Sequence, residues 1–473
     1  MKIDVIVPIA ARQWHRCLLD RLRDAGHDVA AVPALAAASA RADSAFLALE
    51  RRILRRTASL ASPATIETTS PRSGTELVID LTGAGTGMAV ACNGSFDDAA
   101  VLAAVAAGDL PDLDVVLDGR LFDHAAPMVD NRVFVTTAAD DVFARAITLL
   151  IKAVRRFAAG ERATIPFLAG PAPGRFTERY IGRTIPRIVR EVLRRSRYRF
   201  AHWRVGYRLL EGPGVAETGG LRTGWRVLPD DGTHFYADPF PVEHDGTRCI
   251  FVEDYPHATG KAVIAVSTLG ADGVASPPVP VLEEPHHLSY PQVFAHDGAL
   301  WMLPEASGGG GLVLYRAERF PDRWTRIATL IDGPISDATL LIRDDGFWLF
   351  ATDRDGGLGS TSDTLVVFHA PTLAGPWRPH RANPILIDRR RARPGGAFIH
   401  NGSRTLLPIQ DGTLGYGGGL GLSELVRLDH DVVELSDPRP LSGAGDFLYP
   451  QIHTLNRAGP LETIDGIAAV RKR

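Results

Sequence analysis

Phe235-Tyr-Ala-Asp-Pro-Phe-Pro-Val-Glu-His-Asp-Gly-Thr-Arg-Cys-Ile-Phe-Val-Glu-Asp254 reads as a β-hairpin: an acidic start, a short alternating apolar run, a tight Asp-Gly turn and a second strand ending in carboxylates. The pattern returns along the chain. Ser289-Tyr-Pro-Gln-Val-Phe-Ala-His-Asp-Gly298 leads into a strand ending at Glu305, and Ser336-Asp-Ala-Thr-Leu-Leu-Ile-Arg-Asp-Asp-Gly346 into one ending at Asp353. Arg393-Pro-Gly-Gly-Ala-Phe-Ile-His-Asn-Gly402 leads to Gln410-Asp411, and Tyr449-Pro-Gln-Ile-His-Thr-Leu-Asn456 is a weaker copy. Turn glycines 246, 298, 346 and 402 recur about every 50 residues, the length of a four-stranded propeller blade. Five such units predict a five-bladed β-propeller over residues 201–473. Of the strand-like pieces at 202–208 and 225–228, one is expected to complete the last blade and close the ring.

A chain of 473 residues exceeds what one core usually supports, so two domains are expected. With 45% apolar and 23% charged residues it is globular, and a formal net charge of -3 argues against a nucleic-acid partner. Cys17, Cys92 and Cys249 show no paired spacing, so neither a disulfide framework nor a zinc site is supported, as suits a reducing compartment. The start runs directly into the apolar stretch 3–7 without signal-peptide features, and no apolar run reaches membrane-spanning length. A cytoplasmic protein without a cofactor or metal is the expectation.

Residues 1–180 alternate strand-like runs (3–7, 77–81, 115–117) with helical patterns at 12–25, closed by Gly26, and 141–158, closed by Gly160. This order predicts an α/β, Rossmann-like layer with a mainly parallel sheet. Gly83, Gly85 and Gly87 follow one strand, but Met88-Ala-Val-Ala-Cys-Asn-Gly94 does not open a helix, so a turn is the better reading than a phosphate site. In strand order and in the position of Leu113-Asp-Val-Val-Leu-Asp118 the region resembles formyltransferase-type domains. That family's Asn, His and Asp constellation is unmatched around His124, so the resemblance implies a degenerate scaffold.

The segment 181–200 reads as a connecting helix. Eight arginines and one acid, Glu191, fall within 183–204, and Ile188, Val189, Val192 and Leu193 lie at helical spacing. Two readings stand: a helix packed against the propeller with solvated charges, or attachment to an anionic membrane surface, which would place the protein peripherally at the inner membrane.

Residues that open the inner strands of a propeller converge on its axis. Here they are Asp238, Tyr290, Asp337, Arg393 and Tyr449, with Glu253, Asp254, Glu305, Asp353, Gln410 and Asp411 at the ends of the second strands. Asp245, Asp297 and Asp345 precede turn glycines and read as turn formers, while Trp301, Phe347 and Trp348 read as blade core. Asp238 and Asp337 are different, because a channel-facing carboxylate is costly to bury without a partner or ligand. Tyr236, Tyr290, His286 and His287 suit either stacking on sugar rings or packing between blades. A bound cation such as calcium is a further explanation of the carboxylates.

The chain from about Trp203 onward resembles the five-bladed superfamily of arabinanases, levansucrases and invertases, including glycoside hydrolase family 43, in its blade period and its Ala-Asp-Pro and Ser-Asp-Ala strand openings. That resemblance implies Asp238 as base or nucleophile, Asp337 as the carboxylate that tunes the acid, and Glu305 as the acid in place of the family's inner-strand glutamate. A closer resemblance is to the propeller at the N-terminus of plant glucosamine inositolphosphorylceramide transferases. It is carried by Trp225-Arg-Val-Leu-Pro-Asp-Asp-Gly232, Tyr236-Ala-Asp-Pro-Phe240, His287-Leu-Ser-Tyr-Pro291, Phe320-Pro-Asp-Arg-Trp324, Ser336-Asp-Ala-Thr339, Gly375-Pro-Trp377, Ala392-Arg-Pro394 and Gln410-Asp411. Together these imply a protein that handles the sugar of a glycan or glycolipid at an acidic central pocket. Tyr236, Glu253, His287, Tyr290, Arg393, Gln410 and Asp411 would contact substrate. The alternative is a non-catalytic carbohydrate-binding or assembly module.

Overall fold

The computed structural model describes residues 1–34, 44–56, 59–83, 87–171, 174–198, 202–355, 358–441, 445–449, 451–467 and 470–472. They form two compact units, 1–196 with 358–360, and 197–357 with 361–473.

In the first unit a seven-stranded sheet runs in the order Asp28–Pro33, Lys2–Val7, Leu77–Asp80, Met88–Cys92, Leu113–Leu117, Arg120–Ala125, Ile165–Pro166. The first four strands are parallel, and from Leu113 onward every neighbouring pair is antiparallel. The sheet is therefore mixed rather than mainly parallel. Asp118 and Gly119 both take positive φ, 49° and 75°, and this tight turn returns the chain as a hairpin where a parallel neighbour would need a long crossover. Helices form at Gln13–Asp24 and at Val135–Ala158, the latter longer than its periodicity suggested, and Gly26 and Gly160 follow them with φ of 83° and 86°. Gly85 lies outside the described residues. Gly87 leads into the strand Met88–Cys92 rather than a helix, which fits a turn.

The basic segment is helical from Phe176 to Arg197, with a π-turn at Tyr180–Thr184; residues 199–201 lie outside the described set. Through Ser196 it belongs to the first unit. Arg179, Thr184 and Arg187 donate to the carbonyls of Ala103, Ala106 and Val105 at 3.0, 2.8 and 3.0 Å. Thr184 thereby satisfies a carbonyl in the last turn of the helix Ala99–Ala107, and the two arginines bring cations to the end where they are favoured. Among the described residues no helix is long and apolar enough to cross a membrane.

The second unit is a five-bladed propeller. Blade one comprises His234–His244, Thr247–Pro256, Val263–Thr268 and Val279–Leu282; blade two Ser289–His296, Ala299–Glu305, Gly311–Arg319 and Arg323–Asp332. Blade three holds Ile335–Arg343, Gly346–Asp353, Thr364–Ala370 and Arg378–Pro379; blade four Ile399–Asn401, Arg404–Gln410, Leu420–Leu428 and Val433–Leu435. Blade five joins Leu455–Ala458 and Leu461–Ile467 to Trp203–Leu209 and Arg226–Val227, so both early pieces, not one, complete it. Across that closing seam Arg208 pairs with Glu462 at 2.6 Å.

Alternation along the strands buries Phe251, Met302, Tyr315 and Trp324 in one cluster, and Trp348, Phe350, Leu407 and Ile409 in another. Each such side chain contributes about 1.5–3 kcal/mol when fully buried. At the outer turns Asp245-Gly246 and Asp297-Gly298 have positive φ at both positions, and their carboxylates are 90% and 84% exposed, as turn formers should be.

Candidate functional site at the propeller axis

Three inner strands share one backbone device. Asp238, Tyr290 and Asp337 take φ of 49°, 45° and 49°, each within a bulge where pairing skips, between Ala237 and Phe240, Ser289 and Gln292, and Ser336 and Thr339. A bulge re-aims the side chain it carries, and non-glycine residues in the left-handed region carry strain that the surroundings must hold. Residues of all five blades then meet through hydrogen bonds.

Asp238 accepts from the Tyr290 amide at 3.2 Å and stands 3.3 Å from His453 Nε2. His453 Nδ1 lies 2.7 Å from Asp465, which also accepts from the Asp238 and Thr454 amides at 2.9 and 3.0 Å. The result is an Asp465–His453–Asp238 chain in which all three side chains are nearly or fully buried. Trp203 stacks on the His453 ring at 4.0 Å, and Tyr416 meets it edge-on at 5.6 Å. Gly417, beside Tyr416, has φ of 67°, and a Cβ there would come within 2.2 Å of the Trp203 ring. Only glycine lets this loop lie on Trp203.

Asp337 is gripped by the Arg393 fork at 2.6 and 3.1 Å and by the Gln410 amide at 2.9 Å. Arg393 also donates to Thr361 and Ser362, and its guanidinium lies 5.1 Å from the Tyr416 ring centre. Tyr416 itself is 48% exposed, so the assembly reaches solvent there. Arg393 and Gln410, expected to contact substrate, are committed to Asp337, the first neutralising it and the second donating a hydrogen bond; a buried carboxylate requires that compensation.

Tyr290 is fully buried, its hydroxyl held between Thr339 Oγ1 at 2.8 Å and the Gly396 amide at 2.6 Å. It braces the axis rather than offering a ring to a sugar. Tyr236 packs with Val205, Tyr207, Leu228 and Ile250 in a buried cluster, because strand alternation sends it to the blade face. Glu253 pairs with His287 at 3.3 Å, and Glu305 accepts from Ser289 Oγ and the Ser307 amide at 2.8 and 2.9 Å. Asp411 accepts from the Thr413 amide and lines a pocket of about 520 Å³ with Arg390, Arg391 and Asp437; the lining includes none of the axial carboxylates.

Burial pushes the Asp238 carboxyl well above the usual carboxylate range, and the charges of Glu253, Asp465 and Asp337 add to the push while His453 opposes it. Burial works against the His453 cation, yet Asp465 and Asp238 push this histidine up to about 9. Burial opposes the His287 cation as well, and Glu253 and Glu305 outweigh it. His453 therefore holds a proton at neutral pH. Asp238, His453 and Asp465 also present ligand atoms within 4.8 Å of one another, so a cation fits there if it displaces the proton that His453 shares with its two carboxylates.

A pH dependence follows. His453 binds its proton more tightly folded than unfolded, so its stabilisation is complete below its unfolded pKa of about 6.5 and is lost as pH rises through about 9. Asp238, also raised, acts in the same direction. Thermal melts from pH 6 to 10 are expected to show a falling midpoint across that window, with a flatter profile for His453→Gln; equal slopes for both proteins would refute the assignment.

Sequence reading brought Asp238 and Asp337 to the axis and missed His453, Asp465, Trp203 and Tyr416. A signal for Asp465 was present: it stands near the end of a second strand, as Asp254, Glu305 and Asp411 do.

Residues 229–434 match the family model described as glucosamine inositolphosphorylceramide transferase 1, N-terminal. The chain is 33% identical over 175 residues to glucosamine inositolphosphorylceramide transferase 1 of Arabidopsis thaliana, a match covering 36% of this chain and 23% of that protein. Its counterpart in Oryza sativa subsp. japonica is 34% identical over 200 residues, covering 41% and 27%. The chain thus matches about a quarter of the length of these relatives. Among solved structures, a thermostable family-43 glycoside hydrolase aligns with TM-score 0.37 and 12% identity over 52% of this chain and 88% of its own. The catalytic domain of a Coprinopsis cinerea GH62 α-L-arabinofuranosidase aligns with TM-score 0.39 and 14% identity over 57% and 98%. The five-bladed ring rests on its own sheet topology rather than on these alignments.

Proposed function

We propose that the propeller handles the sugar of a glycan or glycolipid at its axis, with Asp238 as the carboxyl that exchanges a proton. The observation that carries this reading is the buried Asp465–His453–Asp238 chain on strained backbone, a costly arrangement that a stable ring does not need. Glycosidic chemistry requires two carboxyl groups, one protonating the leaving oxygen and one activating water or attacking carbon. Asp238, fed by His453, is one; Glu305, less buried and bound by two neutral donors, is the second; Asp337, pinned by Arg393, sets the local field. The name of the matched relatives, which joins an amino sugar, inositol phosphate and ceramide, supports a glycolipid. For the N-terminal unit we propose a scaffold without formyl transfer, since His124 sits exposed on the antiparallel hairpin with Asp114 at 2.8 Å.

A second reading, a binding module without turnover, is favoured by one observation: Arg393 and Gln410 are already committed to Asp337. A panel of glycans and glycolipids, screened for binding and turnover with the full chain, separates the two. Asp238→Asn is expected to lower turnover by about 100-fold or more while fold and some binding persist. Turnover unchanged in that variant would sink the catalytic role, and binding without turnover in the wild type would establish the module.

A further inference from the structure

We propose that the outward face of the helix Ile185–Arg197, with Ile181 in the π-turn before it, seats in the interface of an anionic membrane. The helix is amphipathic in the opposite sense to a packed one. Its polar side chains Thr184 and Arg187 face the protein, fixed to the carbonyls of Ala106 and Val105. The apolar residues Ile181, Ile185, Val189, Val192 and Leu193 point away and are 54, 43, 52, 62 and 52% exposed. Single exposed aliphatic residues are ordinary, but five along one helical stripe are not.

Charge decides what covers the stripe. Arg190, Arg194, Arg195 and Arg197 are all exposed, while Glu191, the lone acid of this helix, is already bound by Arg194 and Arg195 at 2.7 and 2.6 Å. A protein partner would need a matching row of acids placed to fit. Anionic headgroups supply that charge without register, and long arginine side chains reach them while the aliphatic stripe enters the acyl boundary. The inference stands apart from the sugar-handling reading, because the vesicles in its test carry no glycan.

The full chain is sedimented with phosphatidylcholine vesicles, pure or containing about 30% phosphatidylglycerol. Binding is expected to the anionic vesicles alone and to weaken with salt. Replacing Arg194, Arg195 and Arg197 by Gln should weaken it about a hundredfold, at roughly fivefold per arginine. Val189→Ser with Val192→Ser should weaken it at least about tenfold through the lost apolar contact. All five positions are exposed, and unchanged circular dichroism certifies the fold of each variant. Equal binding to both vesicle types, no binding to either, binding that survives both sets of substitutions, or concentration-dependent dimerisation that both sets abolish would each overturn the proposal.

Discussion

Arg393→Met is expected to destabilise the propeller by about 3–5 kcal/mol, which for a unit of this size lowers the melting midpoint by roughly 5–9 degrees. Arg393 is 7% exposed, and its fork closes on Asp337, which is 2% exposed. Removing the cation leaves a carboxylate desolvated, with the neutral Gln410 amide still donating to it. The loss then measures an uncompensated charge rather than the net value of the pair. Two consequences separate this cause from simple loss of packing. The variant should regain stability as pH falls and Asp337 takes up a proton, and adding Asp337→Asn should recover most of the loss because the charge is gone. A double variant no more stable than Arg393→Met would show that the guanidinium acts through its contacts with Thr361, Ser362 and Tyr416.

The second large effect is expected at Gly396. Its φ is 146°, in a region nearly reserved for glycine, and a Cβ there would lie 2.1 Å from the Leu455 carbonyl oxygen and 3.0 Å from Asn456 Oδ1. The same residue donates its amide to the Tyr290 hydroxyl at 2.6 Å. Gly396→Ala therefore forces blades four and five apart where Tyr290 ties blade two to them. Backbone strain and overpacking together predict a loss of about 2–6 kcal/mol, read as a lower urea midpoint with an unchanged slope. A midpoint within experimental scatter of the wild type would mean that the seam between these blades yields more easily than its contacts indicate.

The propeller was legible because its repeat is written in local chemistry: Asp-Gly and Asn-Gly turns fix the hairpins, and alternation fixes which residues face inward. Asp238 and Asp337 were legible for the same reason, since each opens an inner strand. His453 and Asp465 were harder to see because blade five turns at Ala458-Gly459-Pro460, without the Asp-Gly marker, and so breaks the visible period. Tyr416 and Trp203 belong to a glycine-rich loop and to a strand from the far end of the unit, and no local pattern announces that they meet. Arg393 was found but given the wrong neighbour, because an ion pair between blades is a fact of packing and not of spacing. In the N-terminal unit, Asp28–Pro33 and Arg120–Ala125 were hidden by short runs interrupted by alanine or charge, and with the latter the antiparallel half of the sheet.

The closing seam of blade five has a consequence for when the site comes into being. Arg208 and Glu462 are 254 residues apart in the chain, and Trp203, His453 and Asp465 lie on the same late-forming blade. A nascent chain emerging in order can assemble blades one to four and position Asp238, Tyr290, Asp337 and Arg393 before the remaining partners of Asp238 exist. During that interval Asp238 lacks the His453–Asp465 pair and faces an open edge. Long-range pairing of this kind is slow because loop closure must precede it. The Asp465–His453–Asp238 chain thus exists only once blade five has emerged and its strands Leu455–Ala458 and Leu461–Ile467 have paired with Trp203–Leu209.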